Sequence, residues 1–91
     1  MRALRLRWKR RRSMALKELI ETIAKALVDD PEAVEVTEIE GEHNLLIELR
    51  VAKEDVGKVI GREGRTAQSM RTILTAASTK LGRRSHLDIV D

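Results

Sequence analysis

Cysteine is absent from the 91 residues of this chain. That excludes disulfides, thiolate zinc sites and cysteine nucleophiles together. Small secreted domains usually need disulfide staples, so the absence points to a reducing interior. Phenylalanine and tyrosine are also missing, and Trp8 is the single aromatic residue. No apolar run approaches the roughly 18–20 residues that span a bilayer. The expectation is a soluble, cytoplasmic protein without membrane insertion. A chain this short buries only about 60% of its unfolded surface, enough for one modest core but not for a deep enclosed active site.

What the chain has in quantity is charge, unevenly placed. Residues 1–13 (MRALRLRWKRRRS) hold seven basic groups and no acid. Residues 14–49 hold ten acids against Lys17 and Lys25, and residues 50–84 hold nine basic groups against Glu54, Asp55 and Glu63. A basic half gathered around a glycine loop suits a polyanion, and an acidic half repels one. The plain alternative is that each charge run is a solvated face. The leader 1–13 is expected to be a flexible basic extension of a domain spanning 14–91. Five of the six residues from Arg7 to Arg12 repel one another, and no secretory apolar segment is present. Met14 follows directly, offering a second translation start. The leader could attract phosphate non-specifically, with Trp8 stacking on a base.

From Ser13, a candidate cap, Leu16, Leu19, Ile20, Ile23, Ala24, Leu27 and Val28 recur at helical spacing until Asp30-Pro31 ends the helix. Two extended runs follow, VEVTEIE at 34–40 and LLIELRV at 45–51, joined by Gly41-Glu42-His43-Asn44. Leu45, Ile47, Leu49 and Val51 share one face of the second run, with Leu46 and Ile39 on the opposite one. A short helix fits 54–60, a glycine loop 61–64, and a longer helix 65–81 with a seam of Ala67, Met70, Leu74, Ala77 and Leu81, stopped by Gly82. HLDIV at 86–90 closes the chain as a third strand. The order α-β-β-α-α-β makes an α+β, two-layer domain. Strands one and two form a hairpin, strands two and three lie parallel across a helical crossover, and three helices cover one face of a three-stranded mixed sheet.

The stretch VIGREGRTA (59–67) carries the functional question. A P-loop needs four residues between its glycines and then Gly-Lys-Ser/Thr; a dinucleotide fingerprint must follow a strand. Gly61 and Gly64 satisfy neither. His43 and His86 stand alone, and strand alternation separates Ser85 from His86 and Asp88, so no relay forms. No cluster has metal-ligand spacing, and neither an enzyme nor a cofactor is indicated. A loop between two helices remains, either a plain turn or a phosphate cradle. Glycines allow close backbone approach, the next helix directs its free N–H groups at the loop, and Lys58, Arg62 and Arg65 surround it with mobile cations.

With VIGREG inside that element order, the chain resembles the KH domain in its type II arrangement, whose G-x-x-G loop clamps about four nucleotides of single-stranded RNA. From Met14 to Asp91 it is similar to the small bacterial single-KH proteins of the KhpA (YlqC) type, through AKALVDDPEAVEV, IELRVAKEDVGKVIGREGRTA and the terminal IVD. The resemblance implies that Gly61 and Gly64 let the RNA backbone approach and that Arg62 meets phosphate. It implies too that Val59 and Ile60, with Ala67 and Met70, form an apolar groove floor. The family favours a basic residue among the two variable positions, which Arg62 supplies; Glu63 puts a repulsive carboxylate beside phosphate and is expected to point to solvent or moderate affinity. RRM, OB and cold-shock modules stack bases on aromatics this chain lacks. The resemblance further implies a non-enzymatic post-transcriptional regulator or RNA chaperone linked in some bacteria to cell shape and division. It would act as a homodimer or with a larger KhpB/Jag-type KH-containing partner. The alternative is a protein-protein interaction module whose RNA binding is incidental, with Ile73 at the edge of the long helix's stripe as its partner face.

Overall fold

The computed structural model describes residues 16–90; the leader, the candidate cap Ser13 and Met14 lie outside the described residues. The described part of helix α1 covers residues 16–27. Leu16, Ile20 and Ala24 are buried and Leu19 and Ile23 half-buried, as the periodicity predicts. Leu27 is 39% exposed instead, because the helix ends there and Val28 takes the inward position. A 3-10 turn, Pro31–Ala33, follows Asp30, whose backbone has left the α region.

Strand β1 (Glu35–Glu40) pairs antiparallel with β2 (Asn44–Arg50), with Ile39 opposite Leu46. The hairpin closes through Gly41 N–H donating to the Asn44 carbonyl at 2.7 Å. Strand β3 (Arg84–Val90) pairs parallel with β2 and begins two residues before the expected run. Among the described residues the sheet order is β1-β2-β3, so β2 is central and both neighbours are edges. Between β2 and β3 run a 3-10 turn (Lys53–Asp55), helix α2 (Val56–Ile60), the glycine loop and helix α3 (Arg65–Thr79).

The core lies between the sheet and the helices. Leu45, Ile47 and Leu49 of β2 are at most 1% exposed, while Ile39 on the other face is 49% exposed. Alternation therefore sets which face the helices cover. In α3, Ala67, Met70 and Leu74 are buried as expected, but the seam continues through Ser78 rather than Ala77, which is half-buried. A hydroxyl is tolerated at 1% exposure because Ser78 Oγ donates to the Thr75 carbonyl (3.1 Å) or shares a hydrogen with Ser85 Oγ (2.8 Å). Gly82, at φ 70, turns the chain into β3. Among the described residues, no helix is long and apolar enough to cross a membrane.

One polar group holds the crossover to the rest of the fold. Asp55 is 2% exposed, yet its carboxylate accepts the Asp30 backbone N–H at 3.0 Å and the Lys58 ammonium at 2.9 Å. Lys58 also donates to Asp29 at 2.7 Å. The end of α1 and the start of α2 are thereby joined across 25 residues of chain. The Lys58 hydrogen bond, with the backbone N–H donors of Asp30 and Asp29, holds the Asp55 carboxyl below its ordinary value against the opposing effect of burial. Hydrogen bonds to Asp29 and Asp55 push the Lys58 ammonium up to about 12. A depressed carboxyl stabilises the fold above its unfolded value of 3.8 and loses that contribution as pH falls through the folded one. Thermal unfolding followed across the acid range should show this loss in the parent chain. Asp55→Asn should be less stable at neutral pH and should lack that part of the acid dependence.

Candidate nucleic-acid interface

Helix α2 is only five residues long and stops where Gly61 N–H closes on the Gly57 carbonyl at 2.9 Å. Gly61 (φ 79), Glu63 (φ 57) and Gly64 (φ 73) then take left-handed backbone conformations, three of the four residues at 61–64. A 3-10 turn over Arg62–Gly64, closed by Gly64 N–H on the Gly61 carbonyl at 3.1 Å, leads directly into α3. The two glycines have different reasons to be glycine. A Cβ on Gly61 would land on the Thr66 side chain and lie 2.8 Å from the Thr66 backbone nitrogen. A Cβ on Gly64 would meet nothing within 4 Å, so only its φ restricts it.

The loop presents Arg62 and Glu63 to solvent, with Arg65 exposed at the first position of α3. Among the described residues no side chain caps α3, so its first-turn N–H groups face the loop without a side-chain acceptor. Glu63 carries the one non-glycine left-handed backbone among the described residues, and its carboxylate lies 3.2 Å from Arg65 Nη2. Both partners are largely exposed, so solvent screens the pair and it opens easily. The carboxylate therefore accompanies Arg65 rather than simply pointing away.

The expected site residues separate into three groups. Gly61, Arg62, Glu63, Gly64 and Arg65 form the exposed loop and helix entry, with Ile60 beside them at 39% exposure. Val59, Ala67 and Met70 are 0%, 3% and 2% exposed; they hold the loop from beneath, and Ile60 is the apolar surface at its rim. Lys58 is not a mobile cation, because Asp29 and Asp55 hold its ammonium.

Sequence reasoning missed Arg71. It lies on α3 facing the edge strand β3, where its Nε donates to the Leu87 carbonyl at 3.4 Å. A cleft of about 220 Å³ opens there between α3 and β3, lined by Arg71, Thr75, Ser85 and Asp88 among others. Nothing local distinguishes Arg71 from other helix-surface arginines; only the strand beside it places it at this cleft. Ser85 points toward Ser78 while His86 and Asp88 are exposed, the separation that alternation predicts. Among the described residues, no group of three or more His, Asp or Glu side chains is placed to hold a metal ion.

Residues 17–89 match the family model described as the KhpA/KhpB KH domain. An "RNA-binding protein KhpA" from Caldanaerobacter subterraneus subsp. tengcongensis is 56% identical over 73 residues, covering 80% of this chain and 97% of that protein. The protein of the same name from Aquifex aeolicus is 53% identical over 77 residues, covering 85% and 98%. That from Chlamydia pneumoniae is 43% identical over 76 residues, covering 84% and 97%. No solved structure matches the chain closely enough for comparison.

Gly64→Ala should cost about 1–2 kcal/mol, the strain of a left-handed alanine. Gly61→Ala should cost more, because the Thr66 backbone must also move. Urea unfolding of the two variants, followed by circular dichroism, checks that order.

Proposed function

The chain belongs to the KhpA/KhpB KH-domain family, and on that premise we propose that it is a non-enzymatic protein that binds single-stranded RNA. The observation that carries this reading is the juxtaposition at the start of α3. Two positive-φ glycines, two exposed arginines and an uncapped helix N-terminus converge on one loop. Such a loop admits a phosphate backbone closely and offers it N–H donors and mobile charge. Gly64 gives the backbone room, Gly61 lets the loop close against Thr66, Arg62 and Arg65 contact phosphate, and Ile60 supplies apolar surface to a base. Val59, Ala67 and Met70 support the groove from within, and Lys58 braces it.

The path continues from the loop along α3 into the cleft at β3, where Arg71, Thr75 and Ser85 offer hydrogen-bonding groups. Glu63 moderates affinity, since phosphate must compete with its carboxylate for Arg65. One domain of this kind holds about four nucleotides, so its affinity is modest and salt-dependent, and further sites raise it through effective concentration. A homodimer or a KhpB/Jag-type partner would supply them, in a cytoplasmic regulator or RNA chaperone. A protein-facing role is favoured by Ile73, which is 46% exposed on α3 although Ala67, Met70 and Leu74 of that stripe are buried.

Titration of labelled single-stranded RNA by fluorescence anisotropy tests the loop. Arg62→Asp combined with Glu63→Asp should weaken binding about ten-fold or more. It should also reduce the slope of log affinity against log salt by about 0.7, the loss of one phosphate contact. Undiminished binding by the folded double variant would remove the loop from the interface and leave the protein-interaction reading.

A further inference from the structure

The cleft between α3 and β3 carries the groups needed to choose one base. Arg71 and Thr75 stand one helical turn apart on α3 and share the face that looks over β3. Leu74 and Leu87, both buried, close its floor, and Ser85 and Asp88 line it from the strand. At about 220 Å³ it is smaller than the pockets that enclose drug-sized ligands, and it suits a single flat base.

Arg71 is exposed, and its Nε donates to the Leu87 carbonyl at 3.4 Å. The bond is long, so it orients the guanidinium without locking it. It uses one N–H of the guanidinium, and the two terminal nitrogens keep the rest as a planar fork. Among the described residues, no carboxylate forms an ion pair with Arg71. Phosphate and base both suit such a fork, and Asp88 decides between them. A carboxylate in the same cleft repels phosphate but accepts from the amino and imino groups of a base.

The bases differ in the edge they can offer. Guanine places O6 and N7 side by side, two acceptors matched to two parallel N–H donors, on the edge away from its ribose. Adenine puts its N6 amino donor beside N7, so one arm of the fork would face another donor. Uracil separates its two carbonyl oxygens with an N–H. Cytosine pairs two acceptors, but its O2 adjoins the glycosidic nitrogen and would bring the ribose into the cleft. We propose that this cleft selects guanine, with Arg71 as the specificity-determining residue, an inference that rests on the chain binding single-stranded RNA. Loop and cleft then divide the task. Arg62 and Arg65 fix the backbone without regard to sequence, and Arg71 reads a base.

Fluorescence anisotropy at low salt tests this with a labelled uridine oligomer slightly longer than the roughly four nucleotides one domain holds. It is compared with the same oligomer carrying a single guanosine, adenosine or cytidine near its centre. The guanosine RNA should bind the parent chain about five-fold or more tighter than the other three. Arg71→Lys keeps the charge and loses the fork. It should erase the preference while leaving the affinity for the all-uridine RNA and its salt slope unchanged. Arg71→Ala should erase the preference too, with circular dichroism confirming that both variants are folded. Equal binding of all the RNAs by the parent, a preference for another base, or a guanosine preference that survives either variant overturns the proposal. Uniform weakening of every RNA by Arg71→Ala, with a salt slope smaller by about 0.7, also overturns it by assigning Arg71 to a phosphate. Each of these results leaves the RNA-binding reading standing. Absence of binding to any of the RNAs removes that reading and the proposal with it.

Discussion

Burial of one face of the central strand is the constraint on which the other elements depend. Leu45, Ile47 and Leu49 turn together toward the helices, and a one-residue slip of β2 would replace them with Leu46, Glu48 and Arg50. That penalty sets the register to β1 on one side and β3 on the other. Because β3 runs parallel to β2, the chain between them must cross the sheet. The crossover buries Val59, Met70 and Leu74 on the same core and leaves the glycine loop between its two helices. The loop is placed by the crossover; its glycines then shape it.

Charge that is segregated along the chain becomes segregated across the sheet. The acidic stretch forms α1 and β1, whose shared cleft carries Glu18, Glu21, Glu38 and Glu40. The basic stretch forms the loop and α3, with Arg62 and Arg65 at one end and Arg71 beside β3. The central strand separates the two edges, so an anion approaching the loop side need not pass the carboxylates on the other. Not every basic residue on the loop side is available. Lys58 is neutralised by Asp29 and Asp55, and it links α1 to α2 instead of contributing an open charge.

The fold was largely legible because its signals are local. Periodicity in 16–28, alternation in 45–51 and the Gly61–Gly64 spacing each reflect residues close in the chain. Where the reading departed from the structure, a distant neighbour decided the outcome. Ser78 replaces Ala77 in the buried seam because Ser85, on the next strand, satisfies its hydroxyl. Asp55 is buried because Asp30 and Lys58 supply its donors. Arg71 looks like any exposed helix arginine until β3 is laid beside it.

Residue order alone determined the element sequence, the parallel crossover, the inward face of β2 and the position of the glycine loop. These follow from side-chain period, backbone φ preference and chain connectivity, which require no knowledge of remote contacts. Tertiary structure alone decided which cations remain open, which of the apolar loop residues reach the surface, and what lies beside each sheet edge. Electrostatic pairing and solvent exposure depend on distances of a few ångströms between residues tens of positions apart, and only the packed chain sets those distances.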